Sequence, residues 1–176
     1  MAETMSAPAA ECFRFEDDGS IPNNPKLPLL LYRGALDTSG DAAARCESLF
    51  AAHGWSGGWR NGIFSYHHYH SDAHEALGII RGEAEVQLGG ERGAVLRVKA
   101  GDVIVIPAGV GHKNLGSSSD FLVVGAYPDG RQPDLCRGRP EERPGVLDNI
   151  ARVSLPAADP VAGDDGPLLK NWRTAG

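Results

Sequence analysis

Long apolar runs are missing from this chain. Candidates such as Leu27 to Tyr32, interrupted by Pro28, fall far short of the roughly 20 residues a bilayer-spanning helix needs, so no membrane partner is expected. Basic clusters are missing too. Lys and Arg number 17 against 23 Asp and Glu, a net charge of -6. A phosphate-backbone binder needs a basic patch, so nucleic acid is excluded as a partner. Cysteine is sparse: Cys12, Cys46 and Cys136 stand far apart in no ligand spacing. That argues for reduced thiols over a disulfide or a catalytic thiol. Met1 to Cys12 lacks the basic start and apolar run of a secretory signal. It reads as a flexible lead-in, and a cytoplasmic setting is expected.

What is present suits one domain over 13–176. The chain has 176 residues, 41% of them apolar, enough for a proper core, and no internal repeat. Its 23 Gly and 12 Pro favour turns and short strands over long helices. Pro22, Pro25 and Pro28 surround a possible first strand, Leu29 to Tyr32, and predict an arm along a sheet edge. A helix is predicted from Ser39 to His53, with Thr38 and Asp41 as a capping box and Ala42, Cys46, Leu49 and Phe50 on one face. His53 reads as a helix-end histidine rather than a ligand. From Gly58 to Tyr127 the pattern is all strand: Gly62–Tyr69, Ala76–Ile80, Ala84–Leu88, Val95–Val98, Val103–Ile106 and Phe121–Ala126, with a hairpin turn at Gly89–Gly90. So many short strands suggest a closed barrel or jelly roll. A short helix is expected over Val146 to Val153, and Leu168, Leu169 and Trp172 should pin the tail to the body.

Chemistry concentrates in two places. Four of the six histidines fall between Tyr66 and Glu75, in YHHYHSDAHE, and His112 follows GDVIVIPAGVG. Residues two apart in a strand share a face, so His68 and His70 point the same way and His67 points outward. Glu75 opens the next apolar run. His112 follows the turn that ends Val103–Ile106. If these strands face one interior, three imidazoles and one carboxylate converge, a donor set suited to first-row divalent metals. His74, in the break before Glu75, is a candidate proton-transfer residue at the pocket mouth, a second-layer partner or a substitute ligand. By parity Arg60, Phe64 and Tyr66 share the His68 face, and Leu77 and Ile79 share the Glu75 face. Tyr66 is a candidate for orienting a bound oxygen or substrate, and the Arg60 guanidinium for pairing with an anionic one.

These segments resemble the two motifs of the cupin superfamily. Gly62-x5-His68-x-His70-x4-Glu75-x6-Gly82 matches the first at every fixed position, and Gly101-x5-Pro107-x-Gly109-x2-His112 matches the second. The second motif usually ends in an Asn four residues after its His. Here that place is Gly116, and the nearest amide is Asn114, which enters the candidate pocket in its stead. The resemblance covers Trp59 to Tyr127, and both flanks look like small, single-domain YjlB-like bacterial cupins. It implies an all-β, double-stranded β-helix, or jelly-roll barrel, with short flanking helices. It also implies His68, His70, Glu75 and His112 as ligands of one divalent transition metal (Fe, Mn, Ni or Zn), and a homodimer.

Two chemistries follow from such a centre. In one, the metal handles a small carboxylate, enediol or diketone together with dioxygen. In the other, it acts as a Lewis acid for isomerase or lyase chemistry. A non-enzymatic small-molecule or metal-responsive binding protein is the third reading, and the motif alone does not choose among them.

Overall fold

The computed structural model describes residues 9–174. Among the described residues nine strands form two antiparallel sheets, accompanied by three short α-helices and one 3-10 turn. The strands are β1 (Ala10–Phe13), β2 (Leu29–Tyr32), β3 (Trp55–Asn61), β4 (Glu75–Arg81), β5 (Glu83–Leu88), β6 (Ala94–Lys99), β7 (Val103–Ile106), β8 (His112–Ser117) and β9 (Leu122–Pro128). The larger sheet runs β1-β2-β7-β4-β9-β3 and the smaller β6-β5-β8. This two-sheet arrangement is the jelly roll the strand pattern suggested.

Burial explains why some strands alternate and others do not. The large sheet is covered on both faces. Leu29, Leu31, Leu77, Ile79, Ile104 and Val123 point between the sheets and meet Val86, Leu88 and Val98. Leu30, Tyr32, Ala76, Val105 and Val124 point the other way, onto α1 (Ala42–Ala52) and α3 (Pro167–Arg173). Strands buried on both faces are apolar throughout, as in LLLY of β2 and VIVI of β7, where every residue is buried. The small sheet has a wet outer face, and β5 accordingly alternates exposed Glu with buried Ala, Val and Leu.

Three elements depart from expectation. β2 is an interior strand, paired to β1 on one side and β7 on the other. The three prolines precede it and remove no ladder hydrogen bond. The edge belongs to β1, which starts at Ala10, within the segment read as a lead-in; the rest of that segment, Met1 to Pro8, lies outside the described residues. α1 begins at Ala42, because Asp41 is its N-cap, accepting from the Ala44 N–H at 3.2 Å. Asp37 instead takes the N–H and hydroxyl of Ser39. The expected strand Gly62–Tyr69 is irregular. β3 stops at Asn61, and the chain makes only isolated bridges, His68 to His112 and Tyr69 to Cys136. Adjacent residues here pair with different partners, so no continuous ladder forms. β8 was not recognised as a strand because KNLGS carries no alternating apolar pattern. The helix expected over Val146 to Val153 is α2 (Gly145–Arg152), with Val146 and Ile150 inward. Leu168, Leu169 and Trp172 of α3 are buried, as expected of the tail.

One glycine is required by packing. A Cβ on Gly78 of β4 would lie 2.6 Å from Cys46 Sγ and 3.1 Å from Leu36 Cδ1. Gly78→Ala is therefore expected to destabilise the fold by about 1–3 kcal/mol through overpacking. A lowered urea midpoint at unchanged m-value would show it; an unchanged midpoint would mean that α1 yields freely.

Candidate metal centre

Three parts of the chain bring the donors together. Glu75 is the first residue of β4, His112 the first of β8, and His68 and His70 lie on the irregular segment between β3 and β4. Two backbone hydrogen bonds tie the segments: His112 N–H donates to the His68 carbonyl at 2.9 Å, and His68 N–H to that of His112 at 3.2 Å. Tyr69 and Cys136 exchange a similar pair at 3.0 and 2.9 Å, which pins the other side of the histidine segment. The turn before β8 is tight. Gly109 has φ +92°, and a Cβ there would sit 2.5 Å from the Asn23 carbonyl oxygen, so this turn needs glycine.

Each ring is oriented through Nδ1. His68 Nδ1–H donates to the Tyr66 carbonyl (3.0 Å), His70 Nδ1–H to that of Asp134 (2.5 Å) and His112 Nδ1–H to that of Val110 (3.2 Å). In the neutral rings these bonds leave the lone pair on Nε2, and the three Nε2 atoms turn to a common centre. Glu75 is 2% exposed. Its Oε1 lies 3.3 Å from His112 Nε2 and its Oε2 3.3 Å from His70 Nε2, yet Oε2 has no hydrogen-bond partner. A buried carboxylate oxygen without a donor, facing imidazole lone pairs, fits a cation and is costly without one. The ligand atoms of His68, His70 and His112 all fall within 4.8 Å of one another, close enough to hold one ion. Neutral imidazole and carboxylate suit a divalent transition metal, so the donor set fits the group.

The electrostatics follow from burial and proximity. Burial, then the neighbouring His112 ring, lowers the His68 pKa to about 3. Burial also acts against a charged His70, but Glu75 and the Asp134 carbonyl outweigh it and lift the value to about 9, so that without a cation the carboxylate draws a proton onto His70 in its place. Burial would raise Glu75, but His70 and His112 hold it well below the usual carboxylate range.

A pocket of about 260 Å³ opens over these groups, walled by Trp59, Ile63, Phe64, Leu77 and Tyr127, with Asn61 and Gly62 alongside. Phe64 and Leu77 are where parity placed them. The remaining candidates are corrected. Arg60 faces away and pairs with Glu47 of α1, its Nη2 2.5 Å from Oε1. The ladder ends at Asn61, so parity could not be carried from Arg60 to His68. Tyr66 lies outside the pocket, stacked on Phe64 at 4.9 Å with the Arg137 guanidinium 3.7 Å above its ring. What it offers the site is its carbonyl, not its hydroxyl. Ile79 has the parity of Glu75 but sits below the pocket in the inter-sheet core. The Asn114 side chain is spent on its own strand, accepting from the Gly116 N–H and donating to Ser117 Oγ. It thereby closes the strand locally where the family's usual Asn is replaced by Gly116.

His74 is neither ligand nor mouth residue. Strand alternation sends it to the face opposite Glu75. There it is 1% exposed, packs on the Trp172 ring at 4.7 Å and accepts the Ala108 N–H at Nδ1. Burial holds its pKa down to about 4. His67 points outward to Glu91, 2.7 Å from its Nε2, and His53 ends α1, its Nδ1 2.8 Å from the Pro160 carbonyl oxygen, both as read. Sequence reasoning missed Trp59 and Tyr127. Trp59 Nε1 donates to the Tyr127 hydroxyl at 2.7 Å, and burial, then the Glu75 charge, pushes the Tyr127 pKa above its ordinary value. Only strand pairing reveals Tyr127, because the Ala76–Ala126 register sets it beside Glu75.

The sheets and the histidine pocket define the class of protein: residues 59–123 match the cupin domain family, and the chain belongs to it. Over 162 residues it is 49% identical to the uncharacterized protein YjlB of Bacillus subtilis (strain 168), covering 92% of this chain and 96% of that one. Among solved structures, a DUF861 family protein of Thermotoga maritima is 20% identical, covers 51% of this chain and 93% of its own, and has a TM-score of 0.32. Acireductone dioxygenase from Bacillus anthracis, with cadmium in its active center, is 17% identical, covers 52% of this chain and 61% of its own, and has a TM-score of 0.37. No helix among the described residues is long and apolar enough to cross a membrane.

Proposed function

We propose that this cupin is a metal-dependent enzyme acting on a small carboxylate, enediol or diketone, with dioxygenase chemistry the first reaction to test. His68, His70, Glu75 and His112 would hold one divalent ion (Fe, Mn, Ni or Zn). The carrying observation is the buried Glu75 Oε2 without a donor, set among imidazoles whose Nδ1 atoms are all committed to carbonyls. Such an ion supplies a Lewis acid with open coordination positions for small oxygen ligands. The chain does the rest: three carbonyls orient the rings, Trp59, Ile63, Phe64 and Leu77 narrow the space from which water is excluded, and Tyr127 presents a hydroxyl beside the carboxylate. A cytoplasmic homodimer belongs to the same reading.

The test is metal analysis of protein purified without added metal, wild type beside Glu75→Gln. Wild type should carry close to stoichiometric metal. The variant, with a neutral oxygen in place of the charge, should bind about tenfold more weakly or worse. A wild type that carries none, and takes up none of the four ions, ends the metal-enzyme reading. Oxygen uptake against small carboxylates, enediols and diketones then decides for or against dioxygenase chemistry.

A further inference from the structure

The pocket has an apolar wall, three imidazoles and one carboxylate. Trp59, Ile63, Phe64 and Leu77 supply the wall, and among the described residues no Lys or Arg lines it. Two guanidiniums near the site are engaged elsewhere, Arg60 on Glu47 and Arg137 over Tyr66. Charge at the centre therefore depends on the ion and Glu75 alone. A divalent ion held by three neutral imidazoles and one carboxylate leaves a single positive charge. A singly charged ligand neutralises it. A doubly charged ligand leaves an unpaired negative charge inside a largely apolar cavity, which is strongly unfavourable.

One neutral donor stands ready for the ligand. The Tyr127 hydroxyl accepts from Trp59 Nε1 at 2.7 Å. That bond occupies a lone pair and fixes the phenol oxygen at the pocket wall, leaving its hydrogen to turn between the Glu75 carboxylate and a ligand oxygen; a cation on Glu75 weakens the first and favours the second. Tyr127 is 4% exposed and its ring packs edge-on against His70, so the hydroxyl has little room to swing away.

Resting on the metal-centre reading above, we infer that the pocket selects small, chelating, singly charged ligands with an apolar body, and that Tyr127 holds them by donating a hydrogen bond to a ligand oxygen. Dicarboxylates and phosphate esters are excluded by charge. Monoanionic hydroxy acids, oxo acids and the enolates of diketones are admitted. Trp59 is the positioning residue that aims the hydroxyl.

Cobalt(II)-loaded full-length protein provides the test, with the visible cobalt absorption read during titration. The probes are 2-hydroxyisobutyrate, which is singly charged, and methylmalonate, which is doubly charged; they are similar in size and both chelate through two oxygens. The singly charged probe should bind at least about tenfold more tightly, against the order that attraction to the bare ion would give. Glycolate, without the methyl groups, should bind more weakly than 2-hydroxyisobutyrate. Tyr127→Phe should keep its cobalt stoichiometry and weaken 2-hydroxyisobutyrate by about tenfold to hundredfold, the range for a hydrogen bond to a charged group. Trp59→Phe, which keeps the hydroxyl but frees it to rotate, should weaken it less, and it stands in if Tyr127→Phe fails to fold. Methylmalonate binding as tightly as 2-hydroxyisobutyrate overturns the charge selection. Unchanged affinity in both variants overturns the role of Tyr127. In both cases bound cobalt leaves the metal centre standing, whereas wild type that takes up no cobalt removes the centre and this inference together.

Discussion

His112→Ala is expected to lower metal affinity by about hundredfold or more while leaving the fold intact. A structural four-ligand zinc site is worth about 10–16 kcal/mol, so one ligand of such a set carries roughly 3 kcal/mol. The loss at His112 should also exceed the 10–100-fold that follows removal of an outer partner. The ring stands 3.3 Å from Glu75 Oε1 and 3.9 Å, centroid to centroid, from the His68 ring, so its removal opens the middle of the donor set. The fold should survive because the hydrogen bonds between His68 and His112 run through backbone atoms, and β8 keeps its register with β5. Competition with a coloured chelator measures the affinity, and circular dichroism checks the fold. A variant that binds metal as tightly as wild type would place the centre elsewhere.

The second large effect lies away from the pocket. Asp159→Ala should destabilise the protein by about 3–5 kcal/mol, through the loss of one buried acceptor shared by four donors. Asp159 is 0% exposed. Its carboxylate accepts the Tyr32 hydroxyl and the N–H groups of Val161 (2.8 Å), Ala162 (3.0 Å) and Leu168 (3.0 Å). It thus joins strand β2 to the turn before α3, and Gly166 leaves the space it fills: a Cβ there would sit 2.4 Å from Asp159 Oδ2. Alanine would strand two buried donors, the Tyr32 hydroxyl and the Leu168 N–H, and two half-buried ones. For a chain of this size the loss corresponds to a drop in Tm of roughly 10 °C. Asp159→Asn, which keeps the shape and one acceptor oxygen, should cost less. A thermal midpoint within 2 °C of wild type for the alanine variant would show that the tail is held by apolar packing of Leu168, Leu169 and Trp172 alone.

Local information went far in this chain because its chemistry is local. His68 and His70 lie two apart, and the bridges at His68 and Tyr69 hold that stretch extended, so their common direction was legible. β7 matched residue for residue because an all-apolar VIVI between a glycine turn and a proline turn has little choice of state. Parity was unreliable where it crossed a break. Arg60 was assigned inward by counting through Asn61 to Ser65, where the ladder ends, and Tyr66, two residues before His68 but ahead of the first bridge, turns outward under Arg137. His74 was misplaced for the opposite reason: it adjoins Glu75, and next to a strand start one residue is a change of face.

The ligand-type residues, their spacing and the sheet-forming pattern around them were determined by the sequence itself, since each depends on neighbours a few residues away. The tertiary structure decided what depends on residues distant in the chain. It put β2 inside the sheet, set the Nδ1 partners Asp134 and Val110 behind the rings, and seated His74 on Trp172. It also brought Trp59 and Tyr127, from opposite ends of the barrel segment, to the pocket wall. Strand order and register fix those contacts, and they are settled by packing over the whole core rather than by any local run of residues. The four donors were readable one by one, and only the pairing of sheets shows that Glu75 Oε2 is left without a donor among them.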